Sequence, residues 1–306
     1  MTTLDDGIHT GIDFAAYLAI DAVSNSGALA KMRRSPLYYK MTKDTPTEGT
    51  EAMRVGNAVN DLVLQPAQFS RRLVVSSRCV ATMAKGGVCP NPGTSIRDGL
   101  SYCGKHAPAD GATDERIIIT DDQFKRAKDM ADAVLSDTDA AALLTRCSSR
   151  EVAIVWTDPA TGLRCKGRID ALEDGAPNPF ALPKMLDLKK SIKARPSDFP
   201  AEIMRRNYHG QLAWYDTGYH ALTGVHTEPW IVAVNDQKAD DVHEVGVYQI
   251  IADAIEAGRE ANRKTLALVK KCHDENRWPG FGTMPMSIPA WGLGAEDEDD
   301  ITEEAP

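Results

Sequence analysis

The sequence predicts an α/β fold, in which short apolar strands are covered by amphipathic helices and a loop-rich insertion is held by something other than a core. Three observations carry this. Apolar runs at 151–157, 163–172 and 184–188 have strand length and are separated by turn formers. Stretches 47–64, 121–135, 199–222 and 251–273 carry apolar residues at helical spacing. Residues 73–120 are poor in apolar side chains and rich in turn formers, with three cysteines and a histidine among them.

With 306 residues the chain can bury a sizeable core, as one large domain or two. It has no apolar run of about 18 residues, so no membrane span is expected. The opening MTTLDDGIHTG is polar and acidic, unlike a secretion signal, and six irregularly spaced cysteines argue for a reducing compartment, the cytoplasm. There is no internal repeat, P-loop, G-x-G-x-x-G or G-x-S-x-G, which argues against a nucleotide-driven motor, a dinucleotide enzyme or an α/β-hydrolase.

Taken in order, residues 1–22 are expected to be extended or irregular. Ser24-Asn25-Ser26 offers N-cap residues for a helix to Arg34, stopped by Pro36. Tyr38 and Tyr39 are expected to pack rather than stack on a ligand. In 47–64, Val55, Val59 and Leu62 form a core stripe, and Gly56 and Asn60 share another face. A helical glycine costs about 1 kcal/mol, so Gly56 suggests close approach of another backbone or a ligand.

Cys79, Cys89, Cys103 and His106 stand in a C-x9-C-x13-C-x2-H array among Lys85-Gly86-Gly87, Pro90-Asn91-Pro92-Gly93 and Gly104. Three thiolates and one imidazole supply a closed tetrahedral shell for a structural Zn²⁺. Helices at 121–135 and 139–144 follow, then a hairpin through Asp158-Pro159-Ala160-Thr161-Gly162. Cys147, Cys165 and Cys272 read as buried thiols.

Asp170 and Asp187 each interrupt an apolar strand, which is costly unless a cation or hydrogen bonds satisfy them. Asp187 and Lys189 share one strand face, with Leu188 on the other. If the two runs pair, both carboxylates and the ammonium meet at one spot, which suits a hard divalent cation. A surface hairpin with an Asp187–Lys189 salt bridge is the alternative reading. In 199–222, Gln211 and Tyr215 lie on one helix face, with Leu212 and Ala213 off it. Strands at 230–235 and 242–250, a helix at 251–273 and an extended wrap from Trp278 to Trp291 complete the order.

Gly167-Arg168-Ile169-Asp170 followed by Asp187-Leu188-Lys189 resembles the D…(D/E)-x-K core of the PD-(D/E)XK nuclease superfamily. Gln211 to Tyr215 is similar to the Q-x-x-x-Y motif of its RecB-like and phage-exonuclease branches. The N-terminal half resembles the RecE-like (exonuclease VIII) branch through Tyr17, Ser24, Ser26, Ser35-Pro36, Tyr39, and then Gly56 to Pro66. The resemblance spans residues 8–292 and implies a restriction-endonuclease-like core, with a central mixed sheet flanked by helices and a zinc-binding insertion. The expected organisation is 1–72 as the N-terminal helical part, 73–120 as the insertion, 121–294 as the nuclease core and 295–306 as a disordered acidic tail.

The resemblance assigns catalysis to Asp170, Asp187, Lys189, Gln211 and Tyr215, and Mg²⁺ or Mn²⁺ binding to Asp170, Asp187 and the Leu188 carbonyl. The branch has a histidine where this chain has Asn60; an amide oxygen coordinates but cannot act as a base. The implied activity is a 5′–3′ exonuclease on double-stranded DNA ends. It would leave 3′ strands for a RecT-like annealing partner, within a homo-oligomer such as a ring, in the host cytoplasm if phage-encoded.

The formal charge of −9 looks wrong for a DNA binder, but seven acids lie in the last eleven residues, leaving a body near −2. Local basic patches rather than net charge bind phosphates, here Lys190, Lys193, Arg195, Arg205 and Arg206. Two further readings stay open, a structure-specific or single-strand endonuclease and a catalytically silent DNA-binding adaptor.

Overall fold

The computed structural model describes residues 4–45, 49–114, 116–175, 181–237 and 242–288. Its centre is a seven-stranded mixed sheet. The order is β1 (Gly7–His9), β7 (Ser149–Thr157), β8 (Arg164–Leu172), β9 (Lys184–Ser191), β10 (Glu228–Asn235) and β11 (Val245–Gln249), with β2 (Val23–Ser24) beside β8. β7, β8 and β9 form an antiparallel meander; β9 and β10 are parallel, and β10 and β11 antiparallel.

The helices are α1 (Phe14–Leu18), α2 (Ala30–Arg34), α3 (Pro36–Thr42), α4 (Glu51–Leu64), α5 (Phe69–Arg72), α6 (Asp121–Ser136), α7 (Thr138–Arg146), α8 (Phe199–Arg206), α9 (Tyr208–Thr223) and α10 (Ala252–Asp274). One sheet face buries Ile154, Trp156, Ile169 and Met185 against Leu212 and Trp214 of α9 and Leu266 of α10. The other buries Leu186, Leu188, Val232 and Val234 against Val55 and Val59 of α4 and Met130 of α6. Strand alternation therefore turns Leu188 toward α4 and α6, and Asp187 toward α9. Gly258 of α10 lets α9 approach: a Cβ there would lie 2.7 Å from the His209 carbonyl oxygen.

Several boundaries differ from the sequence expectation for identifiable reasons. Residues 1–22 are not irregular throughout: Asp13 caps α1 by accepting from the Ala15 N–H, and β1 covers the edge of β7. Tyr17 and Ile20 anchor this segment on Ala153 and Val155. Ser24 makes no capping bond; the chain enters α2 through a π-turn at Asn25–Leu29. There Asn25 is drawn inward to donate to the Gly210 carbonyl and Asn262. The predicted helix 199–222 is two helices, broken at Asn207, whose φ of 58° is left-handed, a conformation that asparagine tolerates.

No helix among the described residues is long and apolar enough to cross a membrane. Tyr39 packs on Trp278 at 5.5 Å, and Arg34 lies over Tyr38. Trp291 and the acidic tail lie outside the described residues, as do residues 46–48 at the start of the predicted 47–64 helix.

The insertion leaves the chain between β3 (Leu73–Ser76) and β6 (Ile117–Thr120), which pair in parallel. It carries one small hairpin, β4 (Ser95–Arg97) with β5 (Leu100–Tyr102).

Candidate active site

β8 and β9 pair only at Ala171↔Leu186 and Leu172↔Met185. One step further, that register sets Asp170 opposite Asp187, and there the strands part. In place of a ladder bond, the Leu188 N–H donates to Asp170 Oδ2 at 2.8 Å. The opening between the two strands therefore holds both carboxylates. Lys189 Nζ lies 2.6 Å from Asp187 Oδ2 and over the Tyr208 ring. Gln211 Nε2 donates to Asp187 Oδ1 at 3.2 Å and to the Tyr215 hydroxyl at 2.8 Å.

The electrostatics of this spot are those of a cation site short of positive charge. Burial raises the Asp170 carboxyl well above the usual carboxylate range, and Asp187 adds to it. Burial likewise raises Asp187, against the pull of Lys189. Burial works against the Lys189 ammonium, but Asp187 and then Asp170 outweigh it and hold its pKa above the ordinary lysine value. Two carboxylates thus share one ammonium in a poorly solvated place, which favours a further cation. Asp187 Oδ2 is buried with no aligned hydrogen-bond donor. The oxygen-only donor set suits a hard divalent ion, which binds proteins through one or two carboxylates and keeps room for water and phosphate.

Asp170 opens onto a pocket of about 170 Å³ that is also lined by Asn60, Ser26, Tyr17, Glu151 and Arg168. Asn60 of α4 thus reaches the same pocket as Asp170. Gly56, a turn away, meets no backbone; a Cβ there would lie 3.9 Å from Lys190 Cε. Asp61 is buried and paired with Arg72, and burial pushes its carboxyl up to about 6.

Glu151 is the residue that sequence reasoning took only as the start of a strand. It is buried, has a φ of 52°, and interrupts the β7–β8 ladder between Arg150↔Ala171 and Val152↔Ile169, opposite Asp170. Arg168 Nε lies 2.8 Å from its carboxylate. The one sequence signal was an acid at the head of an apolar strand.

Gly167 of the G-R-I-D motif has a packing reason. A Cβ there would stand 2.8 Å from Tyr215 Cδ1 and 3.2 Å from Ile154 Cγ1. Gly167→Ala is expected to cost about 1–3 kcal/mol through overpacking and to displace Tyr215 from Gln211. Chemical denaturation checks this; an unchanged midpoint would mean that the Tyr215 ring gives way freely.

The basic residues expected to bind DNA are not gathered at this spot. Lys190 is half-buried and turned to Asp236, which also pairs with Arg126. Arg205 and Arg206 are exposed on α8 and both pair with the buried Glu202. Arg195 pairs with Glu244, and Lys193 is exposed.

Cys79, Cys89, Cys103 and His106 converge, with their ligand atoms within 4.8 Å of one another. Among the described residues this is the one group of three or more His, Cys, Asp or Glu so arranged, and it could hold a metal. His106 Nδ1 lies 3.5 Å from the sulfurs of both Cys79 and Cys103. The Lys105 backbone N–H, more than any other group, lowers the Cys103 thiol to about 6. Cys147, Cys165 and Cys272 are buried free thiols.

A parted β8/β9 meander with D…D-x-K carboxylates, backed by a Q-x-x-x-Y helix, defines a PD-(D/E)XK nuclease-type fold. Residues 26–283 match the family described as PDDEXK-like domain of unknown function (DUF3799), and the chain belongs to that family. The crystal structure of a protein from Eubacterium rectale named "Putative exonuclease" is similar at 14% identity, covering 94% of this chain and 100% of that one, with a TM-score of 0.52. At that identity the likeness shows the fold alone. A structure of SSO0001 matches at 16% identity and a TM-score of 0.25 over 42% of this chain and 54% of that one, too loosely to carry an argument. No curated protein sequence matches this chain.

Proposed function

We propose that this chain is a Mg²⁺- or Mn²⁺-dependent DNA exonuclease. The observation that carries this is the meeting of Asp170, Asp187 and Lys189, with Gln211 bonded to Asp187. Asp170, Asp187, the Leu188 carbonyl and the Asn60 amide oxygen would hold the ion. A divalent ion there supplies Lewis-acid chemistry, polarising the scissile phosphate and acidifying water. Lys189 offsets negative charge that grows on the phosphate and orients the attacking water. Gln211 fixes the Asp187 carboxylate and, with Tyr215, positions the strand. Glu151 opposite Asp170 adds a further carboxylate to the wall.

Resemblance to the RecE-like branch extends the proposal to 5′–3′ digestion of double-stranded ends, a single-strand annealing partner and a ring-like homo-oligomer. Incubation of end-labelled linear duplex with Mg²⁺, beside a covalently closed circle, tests the reading. The proposal predicts progressive loss of label and nucleotide from the linear DNA and an intact circle. Digestion of the circle would establish an endonuclease instead, and no Mg²⁺-dependent cleavage of either would leave a silent binding protein.

The Cys79–His106 group is proposed to hold a structural Zn²⁺. Tetrahedral zinc with Zn–S of about 2.3 Å and Zn–N of about 2.0–2.1 Å sets sulfur and nitrogen ligands about 3.5–3.6 Å apart. The 3.5 Å separations here fit that shell. Elemental analysis of the purified chain is expected to find about one zinc per molecule, and close to none in Cys103→Ser. A wild-type chain without zinc would contradict the assignment.

A further inference from the structure

Beside α4 lies a second and much larger groove of about 530 Å³, whose lining includes Gly93 and Thr94 of the Cys/His insertion. Met53, Arg54 and Asn57 of α4 line one wall, Thr94 of the insertion another, and Arg116 and Ile118 the floor. Asn57 also lines the 170 Å³ pocket that Asp170 opens onto, so the two spaces meet around one side chain. Among the described residues, the charged side chains lining the groove are Arg54 and Arg116, and no carboxylate lines it. That is notable in a chain of formal charge −9. The far wall is tied to the metal group, since the Thr94 N–H donates to the Tyr102 carbonyl, next to Cys103.

Resting on the nuclease reading above, we propose that this groove is the track for one DNA strand, running from the carboxylate site along α4 to the insertion. Cationic groups contact the phosphates of a single strand, and apolar side chains can pack against an unstacked base. Arg54 supplies the first; Met53 and Ile118 supply the second. Arg54 Nη1 is anchored on the Gly49 carbonyl at 2.7 Å, which leaves a guanidinium of five donors with a fixed edge. Arg116 is held by Asp114 and the Ser70 carbonyl. Asp114 offsets its charge, so Arg54 carries most of the electrostatic weight. The insertion would then be a wall of the substrate path.

Steady-state cleavage of labelled duplex, together with anisotropy of a labelled oligothymidylate in Ca²⁺, tests the track using full-length Arg54→Ala and Arg54→Glu. The expected result is a KM raised about tenfold with kcat unchanged at saturating DNA, the loss of one charge-assisted contact. The slope of log affinity against log salt should fall by about 0.7 for the single strand. Both variants folded, with KM, oligonucleotide affinity and salt slope as in wild type, would overturn the track and leave the nuclease reading standing. A wild-type chain that never cuts DNA would overturn the nuclease reading, and the anisotropy arm would still decide whether the groove holds a strand. A groove occupied instead by a peptide or apolar ligand would show as oligonucleotide binding indifferent to Arg54.

Discussion

Lys189→Ala is expected to lower kcat for DNA cleavage by about 10³-fold while leaving DNA affinity in Ca²⁺ within about twofold. Lys189 Nζ sits 2.6 Å from Asp187 and within electrostatic reach of Asp170. Removing it deletes the ammonium paired with Asp187, which the proposed function sets beside the reacting phosphate, and leaves the exposed surface unchanged. It also leaves the buried Asp187 and half-buried Asp170 carboxylates with no ammonium between them, so both would hold protons more tightly and bind the ion less well at low pH. Stopped-flow or gel-based cleavage across Mg²⁺ concentrations checks this. Wild-type activity in the variant would remove Lys189 from the reaction.

Asp187→Ala carries the second large effect, a loss of about 10³-fold or more together with loss of the Mg²⁺ response. Its stability should move the other way. In wild type the Asp170 and Asp187 carboxylates face one ammonium; in the variant Asp170 and Lys189 form a matched pair. Without divalent ions the melting temperature should therefore be unchanged or raised by up to about 2–4 °C. Lost activity with retained stability marks a residue kept for chemistry rather than for folding. A variant that melts far lower would place Asp187 in the structural framework instead.

Much of this site is legible in the sequence because its signals are local. Asp170 and Asp187 stand out as acids inside apolar strands, and the strand period puts Lys189 on the Asp187 face. Gln211 and Tyr215 are one helical turn apart, and their mutual bond follows from that spacing; the bond from Gln211 to Asp187 needs the packing of α9 on the sheet. The C-x2-H clip in the insertion gave away the converging thiols. What stayed hidden depends on contacts distant in sequence. Glu151 needs its left-handed turn and the β8 register to come opposite Asp170. Lys190 reads as a surface cation, but Asp236, just past the end of β10, pairs with it. Asn207 reads as an ordinary helical residue unless its φ is known, so the α8–α9 break was not visible. α1 and β1 are too short for periodicity; β1 is held by pairing with β7, and Tyr17 of α1 packs with Ile20 on Ala153 and Val155.

A crystal soaked in Mn²⁺, with anomalous scattering measured at the manganese edge, tests the central claim most directly. An ion bound by oxygens of both Asp170 and Asp187, with Lys189 alongside, is the predicted result. No anomalous density between those carboxylates, under conditions where DNA is cut, would contradict it.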